Sequence, residues 1–129
     1  MEYLPFERGH LDGVIRLCEA EGWQSYLADP ERTFSALSSP GVVTVVAVDE
    51  GKVVGFAQVL TDGAIRAYLA DIAVASERRG LGIGRQLVRV VFSRIRAVYM
   101  DLLSTGDAEG FYARFRHQRL PGFRVYPAD

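Results

Sequence analysis

The clearest chemistry in this sequence sits in Arg78-Arg79-Gly80-Leu81-Gly82-Ile83-Gly84-Arg85. Glycine opens backbone conformations closed to other residues and lets a ligand come up against the main chain. An apolar stripe at helical spacing begins at Ile83, so these glycines fall at a helix start. Unpaired N–H groups and the positive end of the helix dipole face outward there. Such a turn holds an anion, most naturally a phosphate, and the flanking arginines add charge. Glycines that only let a helix pack closely on a strand are the alternative. Three alternating glycines flanked by three arginines favour the anion. The P-loop pattern fails, because no Gly-Lys-Ser/Thr follows. The dinucleotide fingerprint also fails: it needs glycine where Arg85 or Leu87 stands, although Asp101 lies at the distance that fingerprint expects for its acidic residue. Cys18 is the only cysteine, so there is no intrachain disulfide and no cysteine-cluster zinc site. It falls on the apolar face of a helix and reads as an ordinary core residue. His10 and His117 are far apart and form neither a metal nor a triad pattern, so no metal is expected.

The elements that position this loop can be read from pattern. Residues 3–7 suit a short strand. Leu11, Val14, Ile15 and Cys18 make one helical face that stops at Gly22. Asp29-Pro30-Glu31 reads as a helix start, with Asp as N-cap and Pro in the first turn, and that helix ends before Pro40-Gly41. Val42 to Val48 is β-branched and apolar on both faces, a buried strand. Short turns at 49–52 and 61–63 link it to strands at 53–60 and 65–74, an antiparallel meander. Ile83, Leu87, Val90, Val91, Ile95 and Val98 mark a helical stripe. Val98 to Leu103 reads as a strand, which makes 65–103 a β-α-β unit with parallel strands and a right-handed crossover. A last short helix holds Ala108, Phe111, Tyr112 and Phe115, capped by Thr105 or Asp107. Phe123 to Tyr126 suits an edge strand.

At 129 residues, with 49% hydrophobic and 24% charged side chains, the chain reads as one globular domain over 1–129 and excludes a disordered or collagen-like protein. No apolar run approaches the ~18–20 residues of a membrane span, and the N-terminus lacks a signal-peptide pattern, so a cytoplasmic protein with no membrane partner is expected. The net charge of −1 hides an asymmetry: residues 1–64 hold four basic and ten acidic side chains, residues 65–129 eleven and six. Two different surfaces are implied. The arginines lack the interleaved exposed aromatics of a nucleic-acid binder, so no nucleic-acid partner is expected.

Arg79-Gly80-Leu81-Gly82-Ile83-Gly84 resembles the signature of the GNAT superfamily of acyl-CoA-dependent N-acetyltransferases: Arg or Gln, two residues, Gly, one residue, Gly or Ala. The lead-in Asp71-Ile72-Ala73-Val74 is similar to the family's central strand, with Ser76 where the family often has proline. Thr105-x-x-Ala108-x-x-Phe111-Tyr112 resembles the family's Asn-x-x-Ala-x-x-Phe-Tyr, but Phe115-Arg116-His117 departs from the Gly-Phe pair that usually follows. The element order matches over nearly the whole chain. The resemblance implies an α/β fold of α+β type: a mixed, mostly antiparallel sheet of about six or seven strands, flanked by about four helices, with a central splayed parallel pair.

It also implies acetyl-CoA as co-substrate, with its pyrophosphate on Arg79, Gly80, Leu81, Gly82, Ile83, Gly84 and Arg85. The pantetheine arm would lie along the backbone of Ile72, Ala73 and Val74, and Arg78, Arg85 and Arg89 would be in reach of phosphates. Tyr112 matches the tyrosine that protonates the leaving thiolate. Asp71 is the candidate base, beside the acetyl position, though an aspartate there can also be structural; water leading to Glu19, Glu21 or Asp29 is the other proton route. The early helices form the family's acceptor side, where Glu19, Trp23 and Tyr26 suit a small cationic amine. An ordinary wet face of a helix pair would show the same residues. Direct transfer in a ternary complex is implied, with a homodimer possible. Two other readings remain open: acetylation of a protein N-terminus or lysine, favoured by an open groove, and a non-catalytic CoA-binding module.

Overall fold

Strands that are apolar on both faces need helices on both faces, and this arrangement is what the computed structural model, which describes residues 1–128, contains. The strands are β1 (Glu2–Pro5), β2 (Val42–Asp49), β3 (Lys52–Thr61), β4 (Arg66–Val74) and β5 (Tyr99–Asp101). They form one sheet in sequence order, antiparallel except for the parallel β4–β5 pair. The helices are α1 (Leu11–Glu21), α2 (Pro30–Ser38), α3 (Ile83–Arg94) and the short α4 (Glu109–Tyr112). On one face, Leu11, Val14, Leu17 and Cys18 of α1 and Leu37 of α2 pack on Val46, Val48, Val53, Phe56 and Ala73. On the other, Ile83, Leu87 and Val91 of α3 pack on Val45, Ala47, Val54, Ala57, Val59, Ala67 and Leu69.

The local signals behave as their chemistry requires. Gly22 closes α1 in the left-handed region, at φ 77°, and its N–H satisfies the Glu19 carbonyl. The Asp29 side chain caps α2 by accepting from the Arg32 N–H at 3.2 Å, with Pro30 in the first turn. Gly13 allows α1 to lie against β3: a Cβ there would stand 2.7 Å from Val53 Cβ. Gly13→Ala is expected to destabilise the fold by about 1–3 kcal/mol despite its better helix propensity, because the β-branched Val53 has no rotamer that clears the methyl. The midpoint of urea denaturation measures this.

Five expectations are corrected. The sheet has five strands among the described residues, not six or seven. Phe123 to Tyr126 forms no strand, and Phe123 is 86% exposed. Gly122 is packed against Leu103, and the side chains that follow it stay exposed rather than covering the sheet. The helical stripe stops at Arg94, because Ile95 is already extended and the chain must reach β5, where the Val98 N–H bonds to the Ile65 carbonyl. Val98 is therefore exposed rather than on a helix face. β5 itself is three residues rather than the six expected over 98–103. Neither Thr105 nor Asp107 caps the last helix; the Thr105 hydroxyl donates to Asp107 at 2.6 Å.

One irregularity in β4 controls the site. Gln58 of β3 lies opposite Asp71, but the next residue, Val59, lies opposite Leu69. Ala70 is therefore an extra residue, a β-bulge, and it reverses the facing of all that follows. Ala67 and Leu69 point to the α3 face, whereas Asp71 lies opposite Gln58 and Ala73 packs on the α1/α2 side. Pairing with β5 also ends just before the bulge, at Tyr68 and Asp101.

Candidate active site

Past Tyr68, β4 has a strand neighbour on one side only. The Ala75 N–H bonds to the Val54 carbonyl, so by strand alternation the main chain of Ala73 also faces β3. The main-chain groups of Ile72 and Val74 then face the gap left by β5.

The gap leads to the glycine turn. Gly80 and Gly82 take left-handed backbones, φ 79° and 84°, and a Cβ on either would meet nothing within 4 Å. Leu81 between them is exposed. The first hydrogen bond of α3 is Gln86 N–H to the Gly82 carbonyl. The amides of Ile83, Gly84 and Arg85 thus have no partner in the helix, and the N-cap Gly82 has no side chain to cap them. Gly84 differs from its neighbours. Its missing Cβ would lie 3.3 Å from Phe111 Cε1 and 3.7 Å from Val74 Cγ2, so this glycine lets α4 pack over the start of α3.

The arginines divide into two sets. Arg78 donates to Asp49 at 2.6 Å, and the pair holds the Asp49 carboxyl below its usual range. Arg79 bonds Glu21 at 2.5 Å and the Val74 carbonyl at 3.3 Å. Both brace the turn against the sheet and α1. Arg85 is exposed and, like Arg89, makes no ion pair among the described residues.

On the α1/α2 side, the Tyr26 hydroxyl reaches both Asp71 Oδ2 and Gln58 Oε1. Trp23 lies beside Tyr26, with ring centroids 6.1 Å apart, and edge-on to Phe56. Burial pushes the Asp71 carboxyl up to about 6, a rise that Arg124 opposes. On the other side, Tyr112 packs against the α3 cluster next to Phe111. Burial, and then the charge of Asp71, raise its phenol above the ordinary value, so it stays protonated at neutral pH. Cys18 is fully buried, and its thiol is pushed up to about 12, first by burial and then by Asp71 and Glu21. It has no thiolate to offer as a nucleophile.

The structure thus brings Asp71, Tyr26 and Trp23 together, with Tyr112 within electrostatic reach. Glu19 stays outside this group: it is exposed on α1 and forms no hydrogen bond with it among the described residues. Gln58 and Asp49 are the residues that sequence reasoning missed; Glu21, expected as part of a proton route, is instead paired with Arg79. Gln58 had a signal, a lone amide inside the apolar run Val53 to Leu60. Among the described residues no cluster of three or more metal-ligating side chains occurs, and no helix is long and apolar enough to cross a membrane.

A sheet that opens after a short parallel pair, with an uncapped glycine turn beside the opening, fits the acyl-CoA-dependent acetyltransferase class that the sequence resembles, and comparison with known proteins agrees on the family. Residues 40–116, more than half of the chain, match the model of the acetyltransferase (GNAT) domain. The chain belongs to the GNAT acetyltransferase family. No curated protein matches it in sequence. Among solved structures, a putative acetyltransferase from Agrobacterium tumefaciens is similar at 23% identity over 98% of this chain and 100% of that one, with TM-score 0.81. One from Deinococcus radiodurans is similar at 26% identity over 97% and 87%, with TM-score 0.74. An aminoglycoside 6′-N-acetyltransferase complexed with coenzyme A is similar at 26% identity over 73% of this chain and 54% of that one, with TM-score 0.63. The matched residues 40–116 include the glycine turn, Asp71 and Tyr112 but leave out α1, α2 and their connection.

Proposed function

We propose that this protein transfers the acetyl group of acetyl-CoA directly to the primary amine of a small, cationic molecule, with both substrates bound at once. The turn at Gly80–Gly82 carries this reading: two left-handed glycines with open space above them, ahead of three uncapped amides, beside an unpaired stretch of β4. A diphosphate fits that cradle through amide hydrogen bonds and the dipole of α3. The residues from Arg79 to Arg85 would hold it, with Arg85 supplying side-chain charge. Ile72 and Val74 would offer main-chain hydrogen bonds to the arm of the cofactor.

Acetyl-CoA supplies a thioester carbon that an amine can attack. Alkyl amines are mostly protonated at neutral pH, so Asp71 first takes the ammonium proton and passes it to solvent; the free amine then attacks the thioester carbon, and Asp71 takes the second nitrogen proton as the C–S bond breaks. A main-chain N–H facing the gap, that of Val74, donates to the carbonyl oxygen as negative charge gathers on it. Tyr112 gives its phenolic proton to the sulfur as the C–S bond breaks and regains one from solvent. Trp23 and Tyr26 form an aromatic wall for a cationic acceptor, supported by the acidic first half of the chain. The test is CoA release measured with a panel of amines. Turnover on small polyamines or amino sugars, and none on peptides, supports the reading; tight acetyl-CoA binding with no turnover on any amine rejects it. Tyr112→Phe is expected to lower kcat by roughly 100-fold, with acetyl-CoA affinity unchanged. An unaltered kcat removes Tyr112 as the acid.

A further inference from the structure

Tyr26 has one hydroxyl proton and two acceptors. Gln58 Oε1 is 3.1 Å away, and Asp71 Oδ2 is in hydrogen-bond contact. The amide of Gln58 cannot swing to suit either state, because its Nε2 donates to the Ala36 carbonyl of α2 at 3.0 Å and its side chain is buried. Its oxygen therefore faces Tyr26. Tyr26 is itself tied down: its carbonyl accepts from the hydroxyl of Thr33, also buried, at 2.8 Å. The bulge at Ala70 places Gln58 and Asp71 opposite one another, with Tyr26 bridging them. Asp71 Oδ1 receives no hydrogen bond among the described residues, which leaves it open to a proton donor.

We propose that Tyr26 is the positioning residue of Asp71, holding the carboxyl through a hydrogen bond that reverses as Asp71 gains and loses a proton, with Gln58 as the second acceptor that makes the reversal possible. The inference rests on the reading of Asp71 as the base. With Asp71 ionised, the Tyr26 hydroxyl donates to Oδ2. With Asp71 protonated, the carboxylic acid donates to the Tyr26 oxygen, and the Tyr26 hydroxyl turns to Gln58 Oε1. A proton taken up at the oxygen that faces away from Tyr26 reaches it by a half-turn of the carboxyl about Cβ–Cγ, which exchanges the two oxygens and keeps the plane of the group. Asp71 faces three other titratable or charged groups. Cys18 of α1 stays a neutral thiol, Tyr112 of α4 stays a neutral phenol, and Arg124 of the C-terminal segment favours the carboxylate. None of them switches near the pH at which Asp71 titrates, so Tyr26 and Gln58 set the direction of any shift.

The two partners then act in opposite senses. Tyr26→Phe removes the donor to the carboxylate, and the titration of Asp71 should move up by about one pH unit. Gln58→Leu removes the competing acceptor, leaves Tyr26 to Asp71 alone, and should move it down. Gln58→Met is the alternative if the leucine variant does not fold. The experiment is the pH titration of the Asp71 carboxyl carbon by NMR in the full-length protein, beside the acidic limb of kcat/KM. Opposite shifts in the two variants, with the rate limb following each, are the expected result. No shift, or shifts of the same sign, overturns the switch. Opposite NMR shifts with a rate limb that stays in place uphold the hydrogen-bond reversal and instead reject Asp71 as the base.

Discussion

A Gly82→Asp variant is expected to lose acetyl-CoA affinity by at least 100-fold, on the order of a few kcal/mol, while remaining folded. A carboxylate about 4 Å from a phosphate charge costs ~4 kcal/mol at the effective dielectric of a protein surface, and each ~1.4 kcal/mol is a factor of ten. The fold has little to lose at this position. A side chain on Gly82 meets nothing within 4 Å, aspartate is among the residues that tolerate the left-handed region, and it sits at an N-cap. Binding and stability therefore part company, which is the signature of a ligand cradle. Calorimetry with acetyl-CoA and a thermal melt measure the two. Gly82→Asn keeps the shape without the charge and should retain most of the affinity. If Gly82→Asp binds acetyl-CoA as the parent does, the phosphate cradle is wrong. Gly84→Asp is a poorer test, because its side chain would strike Phe111 and Val74 and disturb α4 as well as the ligand.

The second large effect is expected at Asp71. Asp71→Asn should lower kcat/KM near neutral pH by roughly 100- to 10,000-fold, the usual range for a general base. Because burial lifts its carboxyl to about 6, the parent rate should climb as pH rises through that value, and the variant profile should lose that limb. Stability should change in the opposite sense. A carboxyl whose folded pKa lies above its unfolded value binds more protons in the folded state between the two. Stability therefore falls as pH rises from about 4 to about 6 and stays lower above that window. Removing the charge should then stabilise the protein at pH 7 by about 1 kcal/mol, discounted for the partial exposure of the group. A variant with parental rates across pH rejects Asp71 as the base; one that melts lower at pH 7 shows that the carboxylate is structural.

Both predictions draw on features of unequal visibility in the sequence. The glycine turn was visible because its signal is local: Gly80 and Gly82 take left-handed backbones that glycine adopts most readily, a preference that three or four neighbours set. Asp71 could be named from its neighbours on β4, but the face it occupies could not. Strict alternation would have placed it with Ala67 and Leu69 on the α3 side, and only the extra residue Ala70 turns it towards Tyr26. Gln58 is the same case in reverse. Its amide stands out in an apolar strand, yet its partners, Ala36 and Tyr26, lie 22 and 32 residues away.

By itself the sequence determined the order of helices and strands up to β5, the caps at Gly22 and Asp29, the two-faced burial of β2 and the glycine turn ahead of α3. Each of these follows from backbone preference or periodicity within about one turn of chain. The tertiary structure alone decided that β4 parts from β5 after Tyr68, that Arg78 and Arg79 are bound to Asp49 and Glu21 and so brace the loop, and that the segment after Tyr112 adds no strand to the sheet. Those outcomes depend on strand register and on partners distant along the chain, and a one-residue bulge changes every facing beyond it.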